Sequence, residues 1–545
     1  MLSPAPLPIV DLFAGPGGLG EGFSASGGGH YYRIALSVEM DAYAHETLEL
    51  RSFTRQFGGQ LPPDYVRLFG SEVTVDELYA KHPVEAEAAR SHAWRAELGN
   101  PDSAPKELVK EYVERALCGR RDWVLIGGPP CQAYSLVGRS RNSGVPGYDA
   151  TKDHRHFLYR EYLWFLQEFQ PIAFVMENVP GILSARKPDP FLAKHKWEPM
   201  FPSIRSDLQA AGYELVPVVA CASSSDRKFI VKFEELGVPQ RRHRVIVIGL
   251  RQDFWDEALP RLELPIYRQK GTDQEDPLLG QSFERGLIAG TNADRTSLGD
   301  AIADMGARTV SLSRSKTQWP PEDPGSLVSV REIGRYLSNR SAPVYSGIQD
   351  AEVAHTMRLV GAALSGKSKT SAPDWAADSR LPPPLKDWYK ATVGKEHEIR
   401  NHEPRRHRAD DIVRYVFAAA YARRHGRSPK IADFPAVLLP DHRNVRAARK
   451  SPVPFADRFR VQLADQPATT VTSHIAKDGH YYIHPDPYQC RSLTVREAAR
   501  IQTFPDDYLF RGPRTEQYKQ VGNAVPPYAA YQIANALARV LGLQD

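Results

Sequence analysis

Asp122 to Arg141 reads DWVLIGGPPCQAYSLVGRSR. Trp123-Val124-Leu125-Ile126 is an apolar run of strand length and reads as a buried strand. Gly127, Gly128, Pro129 and Pro130 stop it and hold the backbone in a fixed extended turn. Cys131 comes next, followed by Gln132, Ser135 and the basic pair Arg139 and Arg141. The carboxyl end of a parallel strand is where an open α/β sheet places its chemistry. Nearby arginines favour thiolate, the reactive form of cysteine. A lone cysteine is most often a small buried hydrophobe. A core thiol has no use for a rigid Gly-Gly-Pro-Pro mount, so Cys131 is read as a nucleophile.

Upstream, PIVDLF (8–13) is a second apolar run, carrying Asp11, and Ala14 to Gly20 follows as a glycine turn before a helical segment. Strand, glycine turn and helix open a doubly wound nucleotide-binding sheet. RIALSVEM (33–40) reads as the next strand and ends near Glu39, about 20 residues past the turn, where a carboxylate can accept ribose hydroxyls. The turn lacks G-x-x-x-x-G-K-[ST], so it has no phosphate-gripping lysine, and an adenosine-type cofactor without a triphosphate fits it better. Residues 75–120 read as a surface insertion with helices around 84–98 and 106–117; its acid candidate is Glu72, just before it.

Downstream, 136–156 is a long Gly-, Ser- and Arg-rich loop, of the kind that closes over a site. IAFVMENV (172–179) is a further buried strand that delivers Glu177 and Asn178 to the same crevice as Cys131. Gln240-Arg241-Arg242-His243-Arg244 feeds into a strand over 245–250, and two-residue alternation turns Arg242 and Arg244 to one side. From 251 to 480 prolines, glycines and charges dominate, basic clusters recur, and only 411–424 reads as a clear amphipathic helix. Regular patterning returns after 481, with a helix start at Thr494, Asn523 in a Gly-Asn turn, and a last amphipathic helix over 528–540.

The 545 residues carry a net charge of +5, which allows a polyanionic partner without demanding one. The four cysteines, 118, 131, 221 and 490, are scattered without a C-x-x-C pair, against a disulfide framework or thiolate zinc site. No apolar run nears the roughly 18 residues of a membrane span, and the start is no secretory signal. A cytoplasmic protein without metal is expected.

Six motifs, in order, carry a resemblance to the bacterial DNA (cytosine-5)-methyltransferases: DLFAGPGG (11–18), GGPPCQ (127–132), ENV (177–179), QRRHR (240–244), RSLTVREAARIQTFP (491–505) and QVGNAVPP (520–527). SHIAKDGHYYIHPD (473–486) resembles the approach to the fifth. The resemblance implies a mostly parallel, Rossmann-like sheet of the S-adenosylmethionine-dependent type, over 1–250 and 481–545. It implies an irregular α+β target-recognition domain over 251–480. It further implies catalysis by Cys131, Glu177, Asn178, Arg242 and Arg244, with Arg244 on the cytosine O2 and Arg242 positioning Glu177 or a phosphate. S-adenosylmethionine would lie among Phe13, Gly15, Gly17, Gly18, Glu39, Glu72, Pro130 and Asn523. Gln132, Ser135, Arg139 and Arg141 would touch double-stranded DNA, with the basic clusters of 400–450 on phosphates. A monomer in a restriction-modification system, with an endonuclease acting on the same site, completes the expectation. Glu72 departs from the aspartate usual in the family, and the insertion is longer than in compact members. A tRNA-methylating branch, a nicotinamide dehydrogenase and a catalytically silent DNA-binding homologue remain open as alternatives.

Overall fold

Alternation within the apolar runs is what makes a two-faced sheet. Leu7 and Ile9 point to one side of the first strand, Val10 and Leu12 to the other, and Val124 and Ile126 oppose Trp123 and Leu125 in the same way. In the computed structural model these runs become β1 (Leu7–Leu12), β2 (Tyr32–Glu39), β3 (Ala93–Arg95), β4 (Val124–Gly127), β5 (Ala173–Asn178), β6 (Tyr213–Val216), β7 (Ile230–Lys232) and β8 (His243–Arg251). The structure describes residues 5–69, 72–130, 158–188, 197–221, 225–263, 285–289, 295–308, 310–313, 324–366, 381–389, 399–440 and 457–544.

The strands lie in the order β3-β2-β1-β4-β5-β8-β6, with β7 also pairing β8. The pairs from β3 to β5 are parallel; β8 runs antiparallel to β5, β6 and β7. Helix α1 (Gly18–Ala25) and the final helix cover one face; α3 (Lys106–Leu117), α4 (Leu158–Phe169) and α5 (Met200–Ala210) cover the other. Helix α2 (Ala42–Arg55) starts where the Asp41 carboxylate accepts from the amides of Tyr43 and Ala44. The α/β expectation holds.

The insertion differs from its reading. The helix expected over 84–98 stops at His92, and Ala93–Arg95 pairs with β2 as the edge strand of the sheet. Three helices before it, Pro63–Phe69, Val75–Lys81 and Pro83–His92, pack with α2 around Phe53, Tyr65, Leu78 and Ala89.

The stretch after 251 is more helical than its composition implied. Besides α8 (Ala409–His425) it forms α6 (Val330–Ser338) and α7 (Ala351–Leu364). Gly334 and Gly361 sit where α6 and α7 cross; a Cβ on Gly361 would stand 2.7 Å from the Leu337 Cβ. These helices enclose a core of Ile333, Leu337, Met357, Val360, Val413 and Phe417. Residues 298–305 and 468–476 instead share a core with the C-terminal segment, through Leu298, Ile302, Val471, Ile475, Leu493 and Phe504.

That segment forms α9 (Val495–Ile501), α10 (Arg514–Asn523) and α11 (Pro527–Val540), and it closes on the start of the chain. Thr494 and Glu497 make the reciprocal cap expected of them. Gly22 lets α1 and α11 touch, since a Cβ there would lie 2.4 Å from the Pro527 carbonyl oxygen.

Candidate active site

The carboxyl ends of β1, β2, β4 and β5 meet at one edge of the sheet because these strands are parallel and adjacent. Two sub-sites form there.

The first is the glycine turn after β1. Phe13, Gly15 and Gly17 all take positive φ, at 56°, 58° and 93°. A Cβ on Gly15 would meet nothing within 4 Å among the described residues, which leave space open above the turn. Gly17 has no such room: a Cβ would stand 2.9 Å from Leu48 and from the Tyr508 hydroxyl. A Cβ on Gly18 would lie 2.3 Å from the carbonyl oxygen of Val525, which brings the segment after Asn523 against the turn. Asn523 itself is exposed at the last residue of α10. The Glu39 carboxylate accepts from the amides of Gly15 and Asp41, both at 2.7 Å, and so holds the turn to the end of β2. Burial raises the Glu39 pKa above its ordinary value, against the pull of those amides.

A latch lies behind the turn. Tyr508 donates its hydroxyl to the Pro16 carbonyl. Arg51 pairs with Glu21 on α1 and, at 3.0 Å, with Asp507, and its guanidinium lies over the Tyr508 ring. Burial pulls the Glu21 pKa up, but Arg51 and Arg55 outweigh it and bring it down to about 2. Asp11 lies under the same turn, fully buried, with neither oxygen finding a well-aligned donor among the described residues. Burial pushes its pKa up to about 8; Arg55 opposes this, and Gly20 softens it slightly.

The second sub-site is at β4 and β5. Arg244 Nε pairs with Glu177 Oε1 at 2.8 Å, both side chains mostly shielded from solvent. Glu177 packs against Gly128, where a Cβ would come 2.7 Å from Oε2. A side chain at 128 would therefore push the carboxylate from this place. Asn178 donates from Nδ2 to the Pro129 carbonyl at 3.1 Å and accepts from the Val179 amide at 2.9 Å. It thereby fixes the Gly-Gly-Pro-Pro turn to β5, with Pro130 the last described residue of that turn. Cys131, Gln132, Ser135, Arg139 and Arg141 lie outside the described residues, as does the loop 136–156.

Three expected placements need correction. Arg242 does not join Arg244 on Glu177. It is 1% exposed and donates to the carbonyls of Val471 at 2.7 Å and Gly522 at 3.2 Å. Alternation fails because the Arg242 amide donates back to the Gln240 carbonyl, a three-residue turn separating Gln240–Arg241 from β8. Glu72 is exposed and pairs with Arg67, with no described contact to Glu39 or the glycine turn. The acid at the end of β3 is Glu97: the Ala96 amide donates to the Glu39 carbonyl at 3.2 Å, setting Glu97 beside the end of β2. A three-residue strand amid alanine and glutamate gave no period-two signal that could have found it. The cluster 405–408 is largely occupied: Arg405 donates to Ile475 and Lys477 carbonyls, buried His407 accepts from Ser492, and Arg408 pairs with Asp410.

No helix among the described residues is long and apolar enough to cross a membrane. No group of three or more His, Cys, Asp or Glu side chains among them could hold a metal ion.

Comparison with known proteins bears on this arrangement. Residues 122–539 match the family model of the C-5 cytosine-specific DNA methylases. The type II methyltransferase M.Bpa9945I of Bacillus paralicheniformis is 33% identical, over 98% of this chain and 99% of that protein. M.AgeI of Thalassovita gelatinovora, also named a type II methyltransferase, is 27% identical over 97% and 98%. The DNA (cytosine-5-)-methyltransferase M.ApeKI of Aeropyrum pernix is 28% identical over 98% of each. A family match spanning most of the chain, with a relative aligned end to end, meets a sheet whose strand ends carry the motif residues: the chain belongs to the C-5 cytosine-specific DNA methylases.

Proposed function

We propose that the chain methylates C5 of cytosine within a specific double-stranded DNA sequence, with S-adenosylmethionine as donor and Cys131 as nucleophile. The observation that carries this reading is the pairing of Glu177 with Arg244 against Gly128, at the strand end that leads into Cys131. The residues present fit the cofactor. The turn at Gly15 is open above, Glu39 offers a carboxylate to ribose hydroxyls, and Glu97 and Met40, the latter 55% exposed, stand beside it for an adenine ring. Glu97 takes the part first given to Glu72. Bound S-adenosylmethionine supplies a sulfonium methyl group open to attack by a carbon nucleophile.

The chain's own groups do the rest. Cys131 thiolate adds to C6 of the ring, which makes C5 electron-rich. Negative charge then appears around N3 and O2. Arg244 faces O2, and Glu177 shares a proton with N3, its orientation fixed by Arg244. Asn178 keeps the Gly-Gly-Pro-Pro turn in place. After methyl transfer, loss of the C5 proton and elimination of the thiolate restore the ring. A stacked cytosine cannot reach this edge, so the base swings out of the duplex, at a cost of a few kcal/mol. The helical part of 251–480, around α6, α7 and α8, serves as the recognition domain, and Gln132, Ser135, Arg139 and Arg141 meet the DNA. Relatives named type II methyltransferases favour a restriction-modification setting, alongside an endonuclease for the same site.

Duplex DNA carrying 5-fluorocytosine at the target should form a stable covalent adduct with the protein and S-adenosylmethionine. The target is found first by bisulfite sequencing of a genome exposed to the enzyme. Cys131→Ser should form none; an adduct that survives this change removes Cys131 from the reaction.

A further inference from the structure

Arg242 is a buried guanidinium with no carboxylate partner among the described residues. Among the described residues its Nε–H also lacks an acceptor. Its bonds run to two segments far away in sequence, the carbonyls of Val471 and Gly522. Gln240, two residues earlier and fully buried, grips the Val471 segment directly and the Gly522 segment through Gln502. It accepts from the Val471 amide at 2.7 Å and donates to Gln502 Oε1 at 2.9 Å. Gln502 in turn donates to the carbonyls of Val521 and Ala524. Gly522 completes the fit: a Cβ there would lie 2.4 Å from the Ser473 amide nitrogen. Tyr482 steadies the Val471 segment by donating to the Thr470 carbonyl and accepting from the Thr472 amide, both at 3.0 Å. The belt ends at Asn523 on one side and, two residues past Arg242, at Arg244 with Glu177 on the other.

We propose that Arg242 is a positioning residue for the cofactor pocket: by holding the carbonyl of Gly522 it keeps the segment that runs through Asn523 to Val525 against the glycine turn. It acts on neither DNA phosphate nor cytosine. This rests on the proposed function, which places the cofactor at that turn. A well-packed apolar side chain could fill the space without burying a charge. What a guanidinium adds is two diverging N–H groups that tie two separate segments to one point. Burial and the nearby Arg244 lower its pKa well below the usual value, while Glu177 raises it.

The test is a double-mutant cycle on the full-length enzyme, read as KM for S-adenosylmethionine and, separately, KM for DNA. Arg242→Lys should raise the cofactor KM about tenfold, but less than about twofold when Asn523 is already alanine, because the two changes act through one contact. KM for DNA should hardly move. Tyr482→Phe loosens the same belt without disturbing a buried charge and should raise the cofactor KM in the same direction. An unchanged cofactor KM in Tyr482→Phe, equal effects of Arg242→Lys in both backgrounds, or a loss confined to DNA binding would overturn the proposal. Failure of the underlying reading shows differently: the wild type would then form no 5-fluorocytosine adduct.

Discussion

Glu177 and Asp11 are both carboxyl groups at or below the active edge of the sheet, and their surroundings separate their uses. Glu177 meets a guanidinium at 2.8 Å and has a side open to the crevice. Asp11 is sealed, with burial as the main influence on it. A carboxyl raised from 3.8 to about 8 binds a proton in the folded state that the unfolded chain releases above pH 4. The fold therefore loses stability as pH rises between those limits. Asp11→Asn removes the proton requirement at nearly constant shape. It should be more stable than wild type near pH 7.5, by up to about 5 kcal/mol, with the gain fading toward pH 4. Urea unfolding at both pH values checks this; a gain that does not shrink on acidification would mean Asp11 is ionised in place. At the same scale, Gly128→Ala drives a methyl group into Glu177 Oε2. It should lower kcat by about a hundredfold or more, as a small misplacement of a reacting group does, with DNA affinity measured by filter binding kept. Retained turnover would show that Glu177 has room to work from elsewhere.

Elements differed in how much of themselves they declared. β1, β4 and β5 were legible because each is an apolar run that ends in glycine, proline or a capping turn, and their motif residues follow from those ends. The glycine turn was legible too, since only glycine tolerates φ of 93° at Gly17 with Leu48 and Tyr508 so close. β3 was not, because Ala93–Arg95 is a strand only through its pairing with β2, and its residues favour a helix. Helices α6 and α7 were hidden by Gly334 and Gly361, which looked like loop formers and instead permit close crossing. The direction of Arg242 was hidden for a third reason. A turn of three residues changes which way a side chain points, and no alternation rule registers it. Basic clusters misled similarly, for a run of charges does not show which members are spent on carbonyls, as Arg405 is.

At the scale of the whole molecule, the chain is held by its last segment, which returns to cover the glycine turn and meets the helical core of 310–490 on its way. That junction is rich in buried histidines. His407 accepts from the Ser492 amide, and His484 accepts from the amide of Asp486 and lies 3.7 Å from Glu497. Burial lowers both, each to about 3; nearby Arg405 adds to this at His407, while Glu497 opposes it at His484. The unfolded histidines take up protons as pH falls through 6.5, and the folded ones do not until about 3. Stability present above 6.5 is lost across that window, by about 2 kcal/mol for each histidine at pH 5. Asp11 contributes in the opposite direction over an overlapping range, so the two must be separated by substitution rather than by the shape of one curve. His407→Gln keeps a neutral acceptor near the position of Nε2 and cannot take up a proton in this range. Its stability should fall less than that of wild type between pH 7.5 and 5, by about 2 kcal/mol. Parallel losses in the two proteins would show that His407 is already charged in the folded junction, and that the C-terminal segment is fastened by something other than neutral imidazole.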